Sequence, residues 1–281
     1  TPTPTPSPSP AKPVNISTRV ETGTGENVLI GGFIITGGTT PKKVVIRAVG
    51  PSLSDANPPV PGALADPILT LHLPDGTVTT NDNWEQLSPP DQAFLNSIGL
   101  TPASALESVI VATLPPVDPA VPGSGIYTAI VQGVNGSTGT ALVEIYDLDA
   151  ATAEATLVNI STRGLVQTKD SAMIGGFIAG AGVSTGRVLI RAIGPSLAGA
   201  GIGTPLLDPT LELHNASGAT VAVNDNWADT DEANIQATGL APKNAAESAI
   251  LTSLASGAYT AVVRGKNDTI GVGLVEVYYL P

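Results

Sequence analysis

The residues best suited to chemistry are six carboxylates that occur in two equivalent sets. Each set has an Asp before a Pro, an Asp inside an Asn-Asp-Asn-Trp run and a Glu before a Ser; the six are Asp66, Asp82, Glu107, Asp208, Asp225 and Glu247. Loop carboxylates and amide carbonyls are the oxygen ligands that Ca²⁺ takes. Asp-Pro and Asn-Asp-Asn sequences also form turns by bonding their own backbone. Two interpretations therefore stay open, a calcium site in each set or a structural turn.

Two arginines lie among apolar residues of predicted strands, Arg47 in VVIRAV and Arg191 in VLIRAI. A half-buried guanidinium needs a carboxylate or several carbonyls as partners. We expect a structural ion pair with one of the acids that both sets share, and an anion-binding site is the alternative. Arg19 and Arg163, which end the two NISTR sequences, allow the same two interpretations.

Two aromatic residues and two histidines recur at matching places. Trp84 and Trp227 follow the Asn-Asp-Asn runs, where a buried indole would anchor the turn and an exposed one could stack on a sugar ring. His72 and His214 alternate with leucines, which places them on the opposite face, toward solvent. No GxSxG, HExxH, P-loop or GxGxxG sequence is present. We therefore expect that the chain is not an enzyme.

These residues recur in pairs because the chain contains a tandem duplication. The order of motifs is unbroken, and the offset between copies falls from 144 residues at the first motif to 132 at the last, so length changes are confined to a few loops. The longest motifs are NISTR at 15–19 and 159–163, IGGFI at 30–34 and 174–178, RAVGPSL at 47–53 and RAIGPSL at 191–197, NDNW at 81–84 and 224–227, and LVEIY at 142–146 with LVEVY at 274–278.

Composition excludes several classes of protein. The chain has 24 acidic and 12 basic residues, a net charge of −12, which disfavours a duplex nucleic-acid binder. It has no cysteine, which excludes disulfides, Cys-based zinc sites and thiol catalysis. The sequence contains no run of 18 apolar residues, so no membrane span is predicted. The sequence begins TPTP without Met, which is typical of a processed or excised piece. Five N-x-S/T sequons occur, but Ser and Thr are so frequent that chance explains most of them.

Short strands and tight turns dominate the predicted elements, because Gly and Pro are abundant and only 13% of residues are charged. Strands are predicted at 44–49, 68–73, 126–133 and 140–148, with a hairpin turn at 135–139 joining the last two. One short helix is predicted in each repeat, at 89–99 and 229–239, with Gly99 and Gly239 at the carboxyl ends.

The predicted fold is all-β, with two tandem jelly-roll-like β-sandwich domains after a Pro/Thr-rich extended segment. The predicted boundaries are a Thr/Ser/Pro-rich linker at 1–13, a first β-sandwich at 14–148, a short linker at 149–157 and a second β-sandwich at 158–281. Alternating Pro with Thr or Ser favours a polyproline-like spacer. We expect residues 1–13 to contact a second subunit or a neighbouring domain.

The set of motifs resembles a tandem repeat module found at the C-terminal ends of large secreted bacterial proteins, often behind Thr/Pro-rich linkers. This resemblance covers nearly the whole chain and implies no particular activity. The later part of each repeat, from the Asp-Pro through NDNW to the YTA sequence, also resembles the bacterial pre-peptidase C-terminal domain, a β-sandwich. That second resemblance implies a role in adhesion, secretion or substrate binding, with Ca²⁺ held by loop acids, which here would be the six carboxylates named above.

Together these observations predict a non-enzymatic structural or adhesion protein, placed outside the cell or on its surface. Low charge and Thr/Val-rich strands favour assembly with copies of itself, through head-to-tail and strand-addition contacts, into a filament or surface layer. The alternative is a carbohydrate- or surface-binding accessory module of a larger secreted enzyme, with a polysaccharide as its partner. Neither nucleic acid nor a membrane span is expected.

Overall fold

The structure is a computed structural model that describes residues 13–149, 154–179 and 186–280. The expectation that segment 1–13 contacts another subunit or domain therefore falls almost entirely outside the described residues. Residues 150–153 of the predicted link at 149–157 lie outside them as well.

Sixteen strands make up about half of the described residues, and the predicted all-β class is confirmed. The strands are β1 (Pro13–Thr22), β2 (Leu29–Thr36), β3 (Lys42–Val49), β4 (Pro67–His72), β5 (Val78–Asn81), β6 (Ser108–Leu114), β7 (Ile126–Gly133), β8 (Gly139–Asp147), β9 (Thr156–Val166), β10 (Met173–Ala179), β11 (Gly186–Ile193), β12 (Pro209–Asn215), β13 (Thr220–Asn224), β14 (Ser248–Leu254), β15 (Gly257–Gly265) and β16 (Gly271–Leu280). Alternating β-branched residues explain why these segments form strands.

The strands pair in two antiparallel series of eight. Sheet I has the order β6-β3-β8-β1-β10-β15-β12-β13, and sheet II has the order β14-β11-β16-β9-β2-β7-β4-β5. A single pairing, of Glu21 in β1 with Leu165 in β9, joins the two sheets. Each sheet therefore contains four strands from each repeat.

The seam between the repeats is formed by β1 and β9, the strands that carry the NISTR motifs. Strand β1 lies between β8 of its own repeat and β10 of the other, and β9 lies between β16 and β2. At the crossing, the hydroxyl of Thr18 donates a hydrogen bond of 2.9 Å to the hydroxyl of Thr162, its equivalent 144 residues later. This contact between equivalent residues indicates an approximate two-fold relation between the repeats. The two-domain jelly-roll arrangement itself stays a prediction.

The hydrophobic core runs through both repeats as one cluster of buried residues. The inward side chains come from alternate positions of each strand, as the burial pattern of β2 shows. Phe33 stacks on Tyr127 with ring centroids 5.3 Å apart, and Phe177 stacks on Tyr259 at 5.6 Å. The two repeats therefore bury the residues of this cluster together, whereas four smaller clusters lie within single repeats.

Two short helices cover outer faces of the sheets. Helix α1 spans Pro89–Ser97 and buries Leu95, and α2 spans Glu232–Ala237 and buries Ile235. The second helix begins later than the sequence predicted because Asp231 adopts a left-handed backbone conformation, with φ of 59°. Gly99 and Gly239 follow the carboxyl caps with φ of 70° and 71°, which agrees with their predicted role in ending the helices.

The predicted hairpin at 135–139 is wrong. Strand β7 pairs with β2 and β4 in sheet II, whereas β8 pairs with β1 and β3 in sheet I. The connection is therefore an arch that carries the chain from one sheet to the other. A side chain on Gly133 would collide with the backbone of Ser137 at this arch.

Within the described residues, no helix is both long enough and apolar enough to cross a membrane.

Candidate functional site

Two of the three acids in each set lie together. In the first repeat, burial and the nearby charge of Asp82 raise the pKa of Asp66. One carboxylate oxygen of each is buried without a hydrogen-bond partner in the described structure. The carbonyl of Asp66 accepts a hydrogen bond of 2.9 Å from the amide of Val134, so the pair lies beside the arch after β7. Two like charges are thus close together here without an ion pair among the described residues.

The second repeat places a cation at the equivalent pair. The carbonyl of Asp208 accepts from the amide of Lys266 at 2.8 Å, the counterpart of the Val134 contact. The ammonium of Lys266 lies 2.6 Å from Oδ2 of Asp225 and 3.8 Å from Oδ2 of Asp208. The first repeat therefore has an apolar residue where the second has a lysine between its two acids.

The third acid of each set is used elsewhere. Oε1 of Glu107 accepts from the amides of Gly50 and Ser52 at 3.2 and 3.0 Å, and from the Ser52 hydroxyl. Glu247 repeats the arrangement with Gly194 and Ser196 at 3.2 and 2.9 Å. These fully buried carboxylates stabilise the turn formed by the GPSL part of each RAxGPSL motif.

The six acids thus divide into two Asp pairs and two separate turn-binding Glu residues. Among the described residues, no group of three or more His, Cys, Asp or Glu side chains is placed to hold a metal ion. The calcium site stays a prediction, and it now concerns the Asp pairs.

The Asn-Asp-Asn-Trp runs tie edge strands together across the sandwich. Oδ1 of Asn81 in β5 accepts from the amide of Val109 in β6 at 2.8 Å, and Asn224 makes the same bond with Ala249. Trp84 and Trp227 are partly buried and pack on the apolar clusters around α1 and α2; the residues of those clusters include Leu95, Val45, Ile235 and Leu189. This packing matches the first of the two interpretations, in which the indole anchors the turn.

Ion pairs are present at Arg47 and Arg191, but the expectation that one of the six shared acids is the partner is wrong. Nε of Arg47 lies 3.0 Å from Oε2 of Glu144, and its Nη1 donates to the carbonyl of Leu100 at 3.1 Å. Nε of Arg191 donates to Oε2 of Glu276 at 2.9 Å. The partners are the Glu residues of the LVEIY and LVEVY motifs.

Tyrosines complete both ion pairs. The hydroxyl of Tyr278 donates to Oε1 of Glu276 at 2.8 Å, and burial together with that carboxylate charge raises the pKa of Tyr278 to about 12. Burial and the charge of Glu144 likewise raise the pKa of Tyr146 to about 12. The tyrosines thus stay protonated as donors at neutral pH.

A groove lies over the seam on the outer face of sheet II, and we call it the central groove. Cross-strand pairing aligns Tyr278, Asn159 and Ile34 in one row and Glu276, Ser161 and Gly32 in the next. Arg163 lies in a third row, and Ile126 closes the far end of the first. The groove has a volume of about 390 Å³, and Leu197 also lines it. The residues that form it come mainly from the repeated motifs NISTR, IGGFI, RAIGPSL and LVEVY.

The remaining predicted residues are the two histidines and Arg19. His72 is exposed, as the alternation predicted, whereas His214 is half-buried with Nε2 3.1 Å from Oε2 of Glu212. Arg19 occupies in β1 the place that Arg163 has in β9.

Four strands have a partner on one side only within the described residues. They are β5 and β6 at one end of the two sheets and β13 and β14 at the other. Val221 and Val223 of β13 are 42% and 60% exposed, and Val78 of β5 is 50% exposed.

Two features escaped the sequence reasoning. The motif Glu residues Glu144 and Glu276 repeat between copies, so a comparison of copies could have proposed them as arginine partners. The difference between Val134 and Lys266 was visible in the aligned GVNGS and GKNDT sequences, but its meaning depends on the position of the acids.

The comparisons with protein-family models and with curated proteins found no match for this chain.

Proposed function

We propose that this chain is a non-enzymatic structural or adhesion protein of the cell surface or extracellular space that assembles with copies of itself through free strand edges. The observation that carries the proposal is β13, an edge strand whose Val221 and Val223 are 42% and 60% exposed. Resemblance to repeat modules of secreted bacterial proteins supports the extracellular placement.

Strand β13 has neither the charged side chains nor the prolines that often protect a free edge. Soluble proteins blunt such edges with charged side chains, prolines or a covering loop. The sequence of β13 is TVAVN, which has neither charge nor proline. At the opposite end, β5 has the sequence VTTN and is equally uncharged. Two unprotected edges of this kind favour pairing with another copy.

The seam inside the chain provides an example of the proposed contact. There, β1 pairs with β10 and β9 pairs with β2, so two repeats are already joined edge to edge. A contact between β13 of one copy and β5 of the next would use two different surfaces. Such a heterologous contact generates a filament when its rotation does not close a ring.

Lysine substitutions on β13 test the proposal. We expect the wild-type chain to sediment as long assemblies and to form fibres in negative-stain images without added ligand. Replacing Val221 and Val223 with lysine puts two charges on the edge that would pair with β5, and this should abolish assembly. Gln132→Lys is the matched control, because Gln132 is exposed on β7, a strand paired on both sides.

Mixing two variants tests the direction of the contact. A chain with Thr80→Lys in β5 keeps an intact β13, and the β13 variant keeps an intact β5. Their mixture should give short complexes instead of filaments, because each complex ends at two blocked edges. If the wild-type chain is monomeric at high concentration, or if the β13 variant assembles normally, the proposal is wrong.

A further inference from the structure

The central groove has features of a ligand site that assembly through strand edges does not use. Its volume of about 390 Å³ lies within the range of roughly 300–1,000 Å³ that is usual for small-molecule and cofactor sites. Its lining comes from both repeats, since β2 and β7 belong to the first and β9 and β16 to the second.

A glycine, Gly32, lies at the bottom of the groove, and packing inside the protein does not require a glycine at this position. A Cβ atom on Gly32 would meet its nearest neighbour, the carbonyl oxygen of Ser161, at 3.4 Å, an ordinary contact. The preceding Gly31 differs, because its Cβ would press on Val143 in the core at 3.3 Å. A strand glycine that internal packing does not demand often marks the close approach of a ligand or another backbone.

The polar side chains of the groove offer both donors and acceptors, and Glu276 is held in place by its neighbours. Glu276 is held by Arg191 at 2.9 Å and by the Tyr278 hydroxyl at 2.8 Å, and the Ser161 hydroxyl lies 3.4 Å from its Oε1. Nε of Arg163 is buried and has no hydrogen-bond partner in the described part of the chain. Carboxylate, hydroxyl and guanidinium groups in one groove match a ligand whose hydroxyls both donate and accept.

The position of the groove disfavours two other occupants. Strands β2 and β9 beneath it are each paired on both sides, so an extended peptide cannot add as a further strand. The net charge of −12 repels a polyanion at long range. Ile34 and Ile126 add apolar surface at one end of the groove, which suits the C–H faces of a sugar ring.

We propose that the central groove binds an uncharged polysaccharide, with Asn159, Ser161, Arg163 and Glu276 recognising sugar hydroxyls. This inference is independent of the proposed assembly. The outer face of sheet I carries the equivalent residues in the same rows, which are Tyr146, Asn15 and Ile178, then Glu144, Ser17 and Gly176. Two sites on opposite outer faces would let one molecule bridge two polysaccharide chains.

Valine substitutions that fill both floors test the inference. Gly32→Val projects a β-branched side chain into the groove, which strand geometry accepts. Gly176→Val does the same on sheet I, where the new Cβ would meet the rotatable Ser17 hydroxyl at 2.9 Å and the Ser17 carbonyl oxygen at 3.8 Å. Gln132→Val is the matched control, because it adds the same side chain on β7 outside the groove.

Binding is measured by electrophoresis through gels that contain laminarin, xyloglucan, galactomannan or hydroxyethyl cellulose, with polygalacturonate as the anionic polymer. At least one neutral polymer should slow the wild-type chain, and the double variant should bind it about ten-fold or more weakly. The control should match the wild type, and Gly32→Val alone should lose one site of two.

Several outcomes would overturn the inference. They are equal retardation of the wild type and the double variant, retardation by polygalacturonate alone, and failure of every neutral polymer to slow the wild type. Thermal unfolding shows whether the double variant is folded. If it is not, Ser161→Ala combined with Ser17→Ala replaces it and must weaken binding for the inference to stand.

Discussion

At the scale of single residues, the two repeats differ in how the charges of their equivalent Asp pairs are compensated. Burial and Asp82 raise the pKa of Asp66 above its ordinary value, so the folded protein binds that proton more tightly than the unfolded chain does. The Asp66 carboxylate therefore reduces stability once the pH rises above the ordinary pKa of an aspartate, 3.8. In the second repeat, Lys266 offsets the equivalent repulsion.

Val134→Lys should copy this arrangement into the first repeat and raise the melting temperature at pH 7. The gain should be small, about 0.5 kcal/mol, since such partly exposed pairs contribute little. It should vanish as the pH falls and Asp66 becomes protonated. Lys266→Val should have the opposite effect, and thermal scans across pH measure both. Scans with CaCl₂ and with EDTA test the calcium prediction, because Ca²⁺ bound at Asp66 and Asp82 should stabilise the wild type and not Val134→Lys.

The arginine–glutamate ion pairs differ from the lysine–aspartate pairs because their side chains are more deeply buried. The side chains of Arg47 and Glu144 are 16% and 13% exposed, and the guanidinium also faces the ring of Tyr146. Arg47→Met leaves the Glu144 carboxylate without its counter-charge and should lower the free energy of unfolding by about 3 kcal/mol.

The matched control for Arg47→Met is Arg264→Met, in an ion pair with Glu212 whose side chains are 42% and 39% exposed. Its loss should be ~0–1 kcal/mol. Urea unfolding of both variants gives the comparison. Equal small losses would contradict the structural role of Arg47 and return attention to anion binding.

At the scale of elements, strand positions follow local patterns whereas connections do not. The strand predicted at 126–133 is β7 itself, and that predicted at 68–73 is β4 (Pro67–His72). The Gly-rich segment between β7 and β8 has the composition of a hairpin, but it is an arch between sheets. Composition shows that the chain turns there, and only the partners of each strand show into which sheet it goes.

The strands β1 and β9 illustrate the same limit. Their NISTR motifs mark them as equivalent, and in both strands the threonine, Thr18 or Thr162, is buried whereas the serine, Ser17 or Ser161, is partly exposed. Nothing local indicates that each pairs with a strand of the other repeat. This exchange creates both the central groove and the shared core.

At the scale of the whole molecule, the exchanged pairing makes the repeats mutually dependent. If residues 13–149 and 154–280 are produced as separate chains, each lacks the partner for its seam strands. We expect the mixture to form a stable one-to-one complex, which size-exclusion chromatography with light scattering would detect. The intact chain should unfold in one transition, because its core is continuous.

Two separate, folded, non-associating fragments would contradict this expectation. That outcome would instead support the independent domains at 14–148 and 158–281 that the sequence predicts.

The sequence by itself determined the duplication, the all-β class, the positions of the four strands that it predicted, the helix ends at Gly99 and Gly239 and the need for partners at Arg47 and Arg191. These follow from residue spacing, alternation and the cost of burying a charge, which are local properties. Only the tertiary structure decided that Glu107 lies apart from the Asp pair, that Glu144 and Glu276 are the arginine partners, and that four motifs meet at one groove. Strand pairing brings together residues more than a hundred positions apart, and neither spacing nor composition encodes which edges meet.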